Sequence, residues 1–179
     1  PRLVLRADRA ADAGDLQREA NNANVAKTLG PLFPHPYSLK DAQFWVDFTQ
    51  SRCNWAITVG DRVVGNIELM EPMARDWGLG GDEDEPAAAP ACIAELGYWL
   101  GEEHWGKGYT SEAVNIVLDH LRGHDWQVLA RAAQCNPASQ KVLSKSGFET
   151  YRQVRLAEEP HPVAGSSELW EMIDFRTRL

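Results

Sequence analysis

The stretch that decides the fold is AELGYWLGEEHWGKGYTSEA, residues 94–113. Residues 94–100 carry the aliphatic and aromatic side chains typical of a strand, and Ala113 opens an apolar face that continues to Leu121 at helical spacing. Between the two, Gly106 and Gly108 predict a tight turn. A glycine turn that leads directly into a helix lets backbone N–H groups converge at the positive end of the helix dipole. The stretch therefore predicts a seat for an anion, namely a phosphate group.

Two familiar phosphate-binding motifs do not fit this turn. Gly101 to Lys107 follows the P-loop pattern G-x-x-x-x-G-K, but the next residue is Gly108 instead of the Ser or Thr that binds Mg²⁺. A dinucleotide fingerprint needs a third glycine where this chain has Ser111. Both nucleotide-binding interpretations are therefore excluded.

The turn instead resembles the pyrophosphate loop of the GCN5-related N-acetyltransferase (GNAT) superfamily, whose pattern is Q/R-x-x-G-x-G/A. Gly106 and Gly108 match its two glycines, whereas Glu103 occupies the Q/R position and departs from it. The blocks GYWL at 97–100 and WGKGYTSEA at 105–113 are similar to the branch that contains the ribosomal-protein alanine and serine acetyltransferases. This resemblance implies an acetyl-CoA-dependent transferase that N-acetylates a primary amine.

A second element of the superfamily follows the loop. Asn136-Pro137-Ala138-Ser139 leads to Gly147-Phe148 and resembles the N-x-x-S…G-F element. In many relatives a tyrosine seven residues after the asparagine protonates the departing CoA thiolate, but here that position is Leu143. The resemblance to the ribosomal-protein branch makes Ser139 the substitute acid. A local helix cap is the alternative role of Ser139.

The resemblance also implies the fold and the cofactor contacts. The fold is α/β, the acyl-CoA N-acyltransferase fold: a single mixed, mostly antiparallel twisted sheet flanked by helices. Backbone N–H groups around residues 98–100 are expected to hold the acetyl carbonyl at a splayed strand. The residues assigned to acetyl-CoA binding are Tyr98, Trp99, Leu100, Trp105, Gly106, Lys107, Gly108, Tyr109, Thr110, Asn136 and Ser139.

Two carboxylates are candidates for the base. An amine must lose a proton as it attacks the thioester, because the ordinary pKa is about 10.4 for a lysine and about 7.7–8.0 for an α-amine. A carboxylate removes that proton directly or through water. Glu95 is the first candidate and Glu68 the second, because Glu95 begins the strand that leads to the loop. Glu95 also shares a face with Gly97 and Trp99. Glu68 lies among apolar strand neighbours, and either acid could instead be a paired or solvent-facing carboxylate.

The rest of the chain predicts helices and strands around one sheet. We expect residues 1–179 to form a single N-acetyltransferase domain with an acidic, Gly/Ala/Pro-rich loop insertion at about 71–91. Gly147 is expected to end a helix as its C′ residue. The predicted strands are 3–5, 55–59, 62–70, 92–100, 126–133, 148–154 and 169–175, and the predicted helical segments are 12–25, 39–49, 113–121 and 138–146.

Charge and composition restrict the partners. With 18 basic and 26 acidic side chains in 179 residues, the formal net charge is -8, which disfavours nucleic acid and suits a cationic acceptor. No apolar run is long enough for a membrane span, and the first residues lack the apolar segment of a secretory signal. The three cysteines show no metal-ligand spacing, which favours reduced, buried thiols, no metal and a cytoplasmic protein.

The sequence leaves the acceptor open. A protein N-terminal α-amine and a small-molecule amine, such as a polyamine or an antibiotic, are alternatives within the enzyme class. A CoA-binding domain without transferase activity is the alternative from another class. It is supported by Leu143 and Glu103, the two positions at which this sequence differs from the pattern of the superfamily. A homodimer also stays open as an assembly state.

Overall fold

Seven β-strands form one mixed sheet in the computed structural model, which describes residues 2–30, 33–72, 92–156 and 170–179. Most of the predicted loop insertion, residues 73–91, lies outside the described residues. The strands are β1 (Val4–Arg6), β2 (Cys53–Val59), β3 (Arg62–Met70), β4 (Cys92–Leu100), β5 (Trp126–Ala133), β6 (Glu149–Leu156) and β7 (Trp170–Arg178).

The order of the strands across the sheet is β1-β2-β3-β4-β5-β7-β6. In the described residues, β4 and β5 are the parallel pair, and every other neighbouring pair is antiparallel. A parallel pair requires a crossover between its strands, and here the crossover contains the glycine turn and the helix that follows it. The predicted fold class, a mixed but mostly antiparallel sheet, is confirmed.

Five α-helices accompany the sheet in the described part of the chain. They are α1 (Ala13–Ala20), α2 (Ala23–Ala26), α3 (Leu39–Thr49), α4 (Tyr109–Leu121) and α5 (Pro137–Lys145). The helical segment predicted at 12–25 is divided at Asn21 and Asn22, because the Asn22 side chain accepts hydrogen bonds from the backbone N–H of Asn24 and Val25 and so begins a new helix. Gly147 has φ 88° after α5, as its predicted role as a C′ residue requires.

The helices divide the apolar side chains between the two faces of the sheet. On one face, α1 and α3 pack with Ala56 and Val63, and Trp99 joins them from β4. On the other face, α4 packs with Leu96, Leu100 and further strand residues, and Tyr98 joins that cluster. Successive strand residues point to opposite faces, so Trp99 and Tyr98 necessarily belong to different layers.

The cysteines differ from expectation. Cys53, Cys92 and Cys135 are free, as predicted, but all three are exposed, so the prediction of buried thiols is wrong. Cys53 and Cys92 are the first residues of β2 and β4, and Cys135 lies in the turn before α5. Positions at strand ends and turns are less covered by the neighbouring layer than strand interiors.

In the described ranges, no helix is both long and apolar enough to span a bilayer.

Candidate active site

The glycine turn between β4 and α4 has the backbone geometry of an anion seat. Gly106 and Gly108 adopt φ 71° and 81°, a region that favours glycine. Gly108 is the N-cap of α4. Because glycine has no side chain, this residue forms no side-chain hydrogen bond to the first turn of the helix. The helix ladder begins with the Glu112 N–H, which donates to the Gly108 carbonyl at 3.1 Å. The N–H groups of residues 109–111 therefore precede that ladder and suit the oxygens of a pyrophosphate.

Arg2 fastens this turn from the start of the chain. Its backbone N–H and its Nε each donate to the Glu112 carboxylate at 2.9 Å, and its Nη1 donates to the Lys107 carbonyl at 2.8 Å. The guanidinium lies 5.2 Å from the centroid of the Tyr109 ring. These contacts lower the pKa of Glu112, chiefly through the hydrogen bond from the Arg2 backbone. Arg2 could not be predicted from the sequence, because a partner 110 residues away leaves no local pattern.

The segment before the turn is also anchored. Trp105 donates from its indole Nε1 to the Leu100 carbonyl at 2.7 Å, so the end of β4 and the turn hold one another. Glu102 accepts hydrogen bonds from the side-chain amides of Asn22 and Asn24 at 2.7 and 2.8 Å. The residues around α2 are thereby tied to the segment that leads into the cofactor loop. Sequence patterns predicted the loop but not this attachment.

The strands β4 and β5 separate beside the loop. Their parallel pairing runs from Cys92 and Trp126 to Leu96 and Ala130, whereas β4 itself continues to Leu100. Residues 97–100 stay paired with β3 on their other side. Their backbone groups on the β5 side are therefore not used by the parallel ladder. The predicted splayed strand, with N–H groups available around residues 98–100, has its structural counterpart here.

Glu68 lies directly beside this separation. It is the cross-strand partner of Gly97, and a Cβ built on Gly97 would be 3.3 Å from Glu68 Oε1. Burial raises the pKa of Glu68, the charge of Glu95 raises it further, and Arg52 opposes both. A glycine at position 97 thus leaves the room that the Glu68 carboxylate occupies.

Glu95 lies one step further from the separation. It pairs with Met70 and Leu129, within the part of β4 that is bonded on both sides. Cross-strand partners share a face, so Glu95, Glu68 and Trp99 all lie on the side of α1 and α3. The Trp99 indole meets Phe33 edge-on at 6.2 Å on that side. The structure therefore brings both predicted acids to one face of the strand gap and places Trp99 opposite the α4 layer.

Ser139 and Tyr98 meet on the other face of the gap. The Tyr98 hydroxyl lies 2.8 Å from Ser139 Oγ. Asn136 caps α5 by accepting the Ser139 N–H at 3.1 Å, so Ser139 is fixed in the first helical turn. Leu143, at the position of the superfamily's tyrosine, is fully buried in the apolar core. The structure therefore presents a phenol to Ser139, but from β4 instead of α5.

The described residues match the parts that acetyl-CoA needs: a loop of backbone donors, a strand gap, and hydroxyl groups beside the gap. No cluster of three or more potential metal-ligating side chains occurs in the described part of the chain. A glycine turn at a helix N-terminus beside diverging parallel strands defines an acyl-CoA N-acyltransferase type of protein. The chain belongs to the acetyltransferase (GNAT) domain family, whose model matches residues 2–149. The resemblance inferred from the loop is confirmed.

The chain is similar to individual acetyltransferases in the sequence of one segment or in fold. A segment of 57 residues is 35% identical to ribosomal-protein-serine acetyltransferase of Escherichia coli K12, and it covers 31% of this chain and 32% of that protein. A microcin self-immunity acetyltransferase in complex with acetyl-CoA and AMP superimposes with a TM-score of 0.76 at 14% identity, covering 99% of this chain and 93% of that one. A ribosomal alpha-N-protein acetyltransferase in complex with coenzyme A gives 0.73 at 17% identity, with 99% and 94% coverage.

Proposed function

We propose that this chain transfers an acetyl group from acetyl-CoA to a primary amine. The observation that carries the proposal is the N-terminus of α4, shaped by Gly106 and Gly108, next to the point where β4 and β5 separate. Such a turn suits a pyrophosphate, and the gap suits a thioester whose carbonyl accepts hydrogen bonds from β4. The family model covers residues 2–149, which supports the proposal that the chain is one acetyltransferase domain.

In the proposed reaction the amine attacks the acetyl carbonyl directly. A C–N bond forms, the C–S bond breaks, the amine proton passes to a carboxylate, and the thiolate receives a proton. Glu68 is the better placed base, because its carboxylate lies over Gly97 beside the strand gap. Burial raises its pKa, so the ionised carboxylate is a stronger base than an exposed glutamate. Glu95, one step along the same face, is the alternative base.

On the opposite side of the gap, Ser139 is the proposed donor to the departing sulfur. The cofactor would be held by the backbone of Gly106, Lys107, Gly108, Tyr109 and Thr110 at the phosphates. The backbone of residues 98–100 would hold the acetyl group. Trp105 supports this arrangement through its hydrogen bond to Leu100, and Asn136 supports it by fixing Ser139.

A protein N-terminal α-amine is the proposed acceptor. The similarity of one segment to the E. coli ribosomal-protein-serine enzyme favours it. A small-molecule amine is the second candidate, favoured by the structural likeness to a spermidine N-acetyltransferase of Vibrio cholerae in complex with CoA and spermine. Incubation with acetyl-CoA and a panel of peptides and small amines, read by thiol release and mass shift, separates the two. Absence of transfer to every amine, together with retained CoA binding, would establish the non-catalytic alternative.

Cofactor binding is tested most directly by thermal unfolding. Acetyl-CoA at one hundred times its Kd should stabilise the protein by about 2.7 kcal/mol without Mg²⁺, and ATP with Mg²⁺ should have little effect. Gly108→Val should abolish the shift, because a branched side chain strains φ 81° and blocks the approach of phosphate to the backbone.

The matched control is Gly60→Val, which places the same strain in the hairpin between β2 and β3, at φ 61°. This variant should be less stable but should keep the acetyl-CoA shift. Stabilisation by ATP and not by acetyl-CoA would refute the proposed function.

A further inference from the structure

The Tyr98 hydroxyl, which has no role in the proposed reaction, is paired with the hydroxyl of Ser139. The two oxygens are 2.8 Å apart, an ordinary length for a hydrogen bond between hydroxyl groups. Tyr98 belongs to the part of β4 beyond the last parallel pair with β5, so its side chain starts at the strand gap. Ser139 belongs to the first turn of α5. The pair therefore connects the two elements on the α4 and α5 side of the gap.

Both partners are held in place independently of one another. The Asn136 side chain accepts the Ser139 N–H at 3.1 Å, and Pro137 begins the helix that carries Ser139. Tyr98 is fixed by its backbone pairing with Ile67 and by packing against the α4 layer. A hydrogen bond between two pre-positioned groups loses little conformational entropy, so its geometry is well defined.

The direction of this hydrogen bond determines what Ser139 can do. A serine hydroxyl has one proton, and a proton donated to Tyr98 is not available to sulfur. A phenol is more acidic than an aliphatic alcohol and is therefore the better donor of the two. The Ser139 carbonyl oxygen, at 3.4 Å, is the more distant acceptor for the same phenol, and Oγ at 2.8 Å is the nearer one. When Tyr98 donates to Ser139 Oγ, the serine proton is released toward the gap. Donation in a chain also polarises the second hydroxyl and strengthens its own hydrogen bond.

We propose that Tyr98 is a positioning residue for thiolate departure: its hydroxyl donates to Ser139 Oγ and thereby directs the Ser139 proton to the sulfur of CoA. The proposal rests on the proposed function, since it assigns a role within that reaction. It also gives a physical reason why Leu143 is tolerated at the superfamily's tyrosine position. The phenol reaches the same helix from β4, one turn before Leu143, and Leu143 completes the apolar core.

The ionisation of Tyr98 agrees with a donor role. Burial raises the pKa of Tyr98 to about 12, against a weaker opposing effect of the Ser139 hydrogen bond. The phenol therefore keeps its proton throughout the pH range in which an acetyltransferase can be assayed. Tyr98 therefore acts as a fixed hydrogen-bond donor, and the proton that is transferred to the sulfur comes from Ser139.

The test measures the thiol of bound coenzyme A. The thiolate has its own ultraviolet absorbance, so titration of the CoA complex gives the pKa of the bound thiol. A hydrogen bond to a charged group contributes about 1.5–3 kcal/mol, roughly one to two pKa units of thiol acidity. Ser139→Ala should raise the thiol pKa by about that amount, and Tyr98→Phe should reproduce most of the effect. The double variant should shift the thiol pKa no further, because both changes break the same hydrogen-bonded chain from Tyr98 through Ser139 to the sulfur.

Steady-state kinetics provide the second readout. Tyr98→Phe removes one oxygen and leaves no apolar cavity, so the variant should fold and bind CoA with an unchanged Kd. Its kcat should fall about tenfold, with KM for acetyl-CoA within about twofold of the wild type. Tyr151→Phe on β6, a partly exposed tyrosine away from the gap, is the matched control and should change neither quantity.

A fluorinated tyrosine at position 98 tests the same bond without removing it. Fluorine makes the phenol a stronger donor, so the pKa of the bound thiol should fall below the wild-type value. An unchanged thiol pKa in Tyr98→Phe, or additive effects in the double variant, would overturn the role of Tyr98. Failure of the wild-type protein to bind CoA would instead refute the proposed function, and the role of Tyr98 with it.

Discussion

Gly65 offers a sharp test of the strand gap, because it allows an unusually close approach between β3 and β4. A Cβ built on Gly65 would lie 2.3 Å from the Trp99 carbonyl oxygen and 2.9 Å from the Leu100 Cα. Both neighbours are backbone atoms, which cannot rotate away as a side chain can. Gly65→Ala would therefore force β4 to move exactly where residues 98–100 are proposed to hold the acetyl group.

The size of the effect follows from that distance. The Trp99 carbonyl must retreat by about 0.7 Å to reach 3.0 Å, the shortest separation that real Cβ atoms show. Insertion of extra atoms into a packed interior typically costs about 1–3 kcal/mol, and a backbone neighbour places this case in the upper part of that range. Displacement of β4 should also weaken acetyl-CoA binding by about fivefold, since one hydrogen bond to the cofactor contributes about 1 kcal/mol.

Urea unfolding and isothermal titration calorimetry measure the two effects. Gly14→Ala is the control: Gly14 lies in α1, with no atom within 4 Å of an added Cβ, and alanine should stabilise this helix by about 0.5–1 kcal/mol. The two glycine-to-alanine changes should thus have opposite signs. If Gly65→Ala matches the wild type in both stability and affinity, the close approach of β3 to β4 is refuted.

Three further predictions concern the base and the loop. Glu68→Gln should lower turnover by about 10²–10⁴-fold, and Glu95→Gln should lower it by less. Both losses should become smaller at high pH, where more of the amine is already neutral. If a pH–rate series shows the larger loss for Glu95→Gln, the base is Glu95. Burial raises the pKa of Glu68, so ionisation of this carboxyl lowers the stability of the folded protein as pH rises through that pKa. At neutral pH, Glu68→Gln should therefore unfold at a higher temperature than the wild type. This difference should disappear below the pKa of an unfolded glutamate, where Glu68 is protonated in both states. Arg2→Ala should raise the Kd for acetyl-CoA several-fold while the melting temperature changes little, because the Arg2 side chain is 58% exposed. Arg122→Ala, which breaks a similarly exposed ion pair at the end of α4, should leave the Kd unchanged; equal affinities in both variants would show that Arg2 does not organise the loop.

Local features were predictable because their causes are adjacent in sequence. Gly106 and Gly108 indicated the turn, since only a residue without a side chain takes positive φ at low cost. Ser38 before the helix 39–49 is the N-cap of α3, where it exchanges hydrogen bonds with Asp41 three residues later. The strand limits of β3, β4 and β5 also followed from patterns of apolar residues.

The exposure of the cysteines and the break between α1 and α2 could not be predicted from neighbouring residues in the sequence. Both depend on which positions the second layer covers and on side-chain hydrogen bonds that compete with the helix. A hydrophobic pattern records the average burial of a segment, not the cover above one residue at its end. The sequence alone therefore overestimated the burial of the cysteines and joined two helices that Asn22 separates.

By itself the sequence determined the family, the order of the elements and the glycine turn before α4, because the causes of that turn are consecutive residues. The tertiary structure alone decided which side chains complete the site. Arg2 reaches Glu112 across 110 residues, Tyr98 reaches Ser139 across 41, and Glu68 meets Gly97 through the register of β3 and β4. Such contacts have no spacing rule, because strand order and register set the distance between their partners, and the packing of the whole sheet determines both.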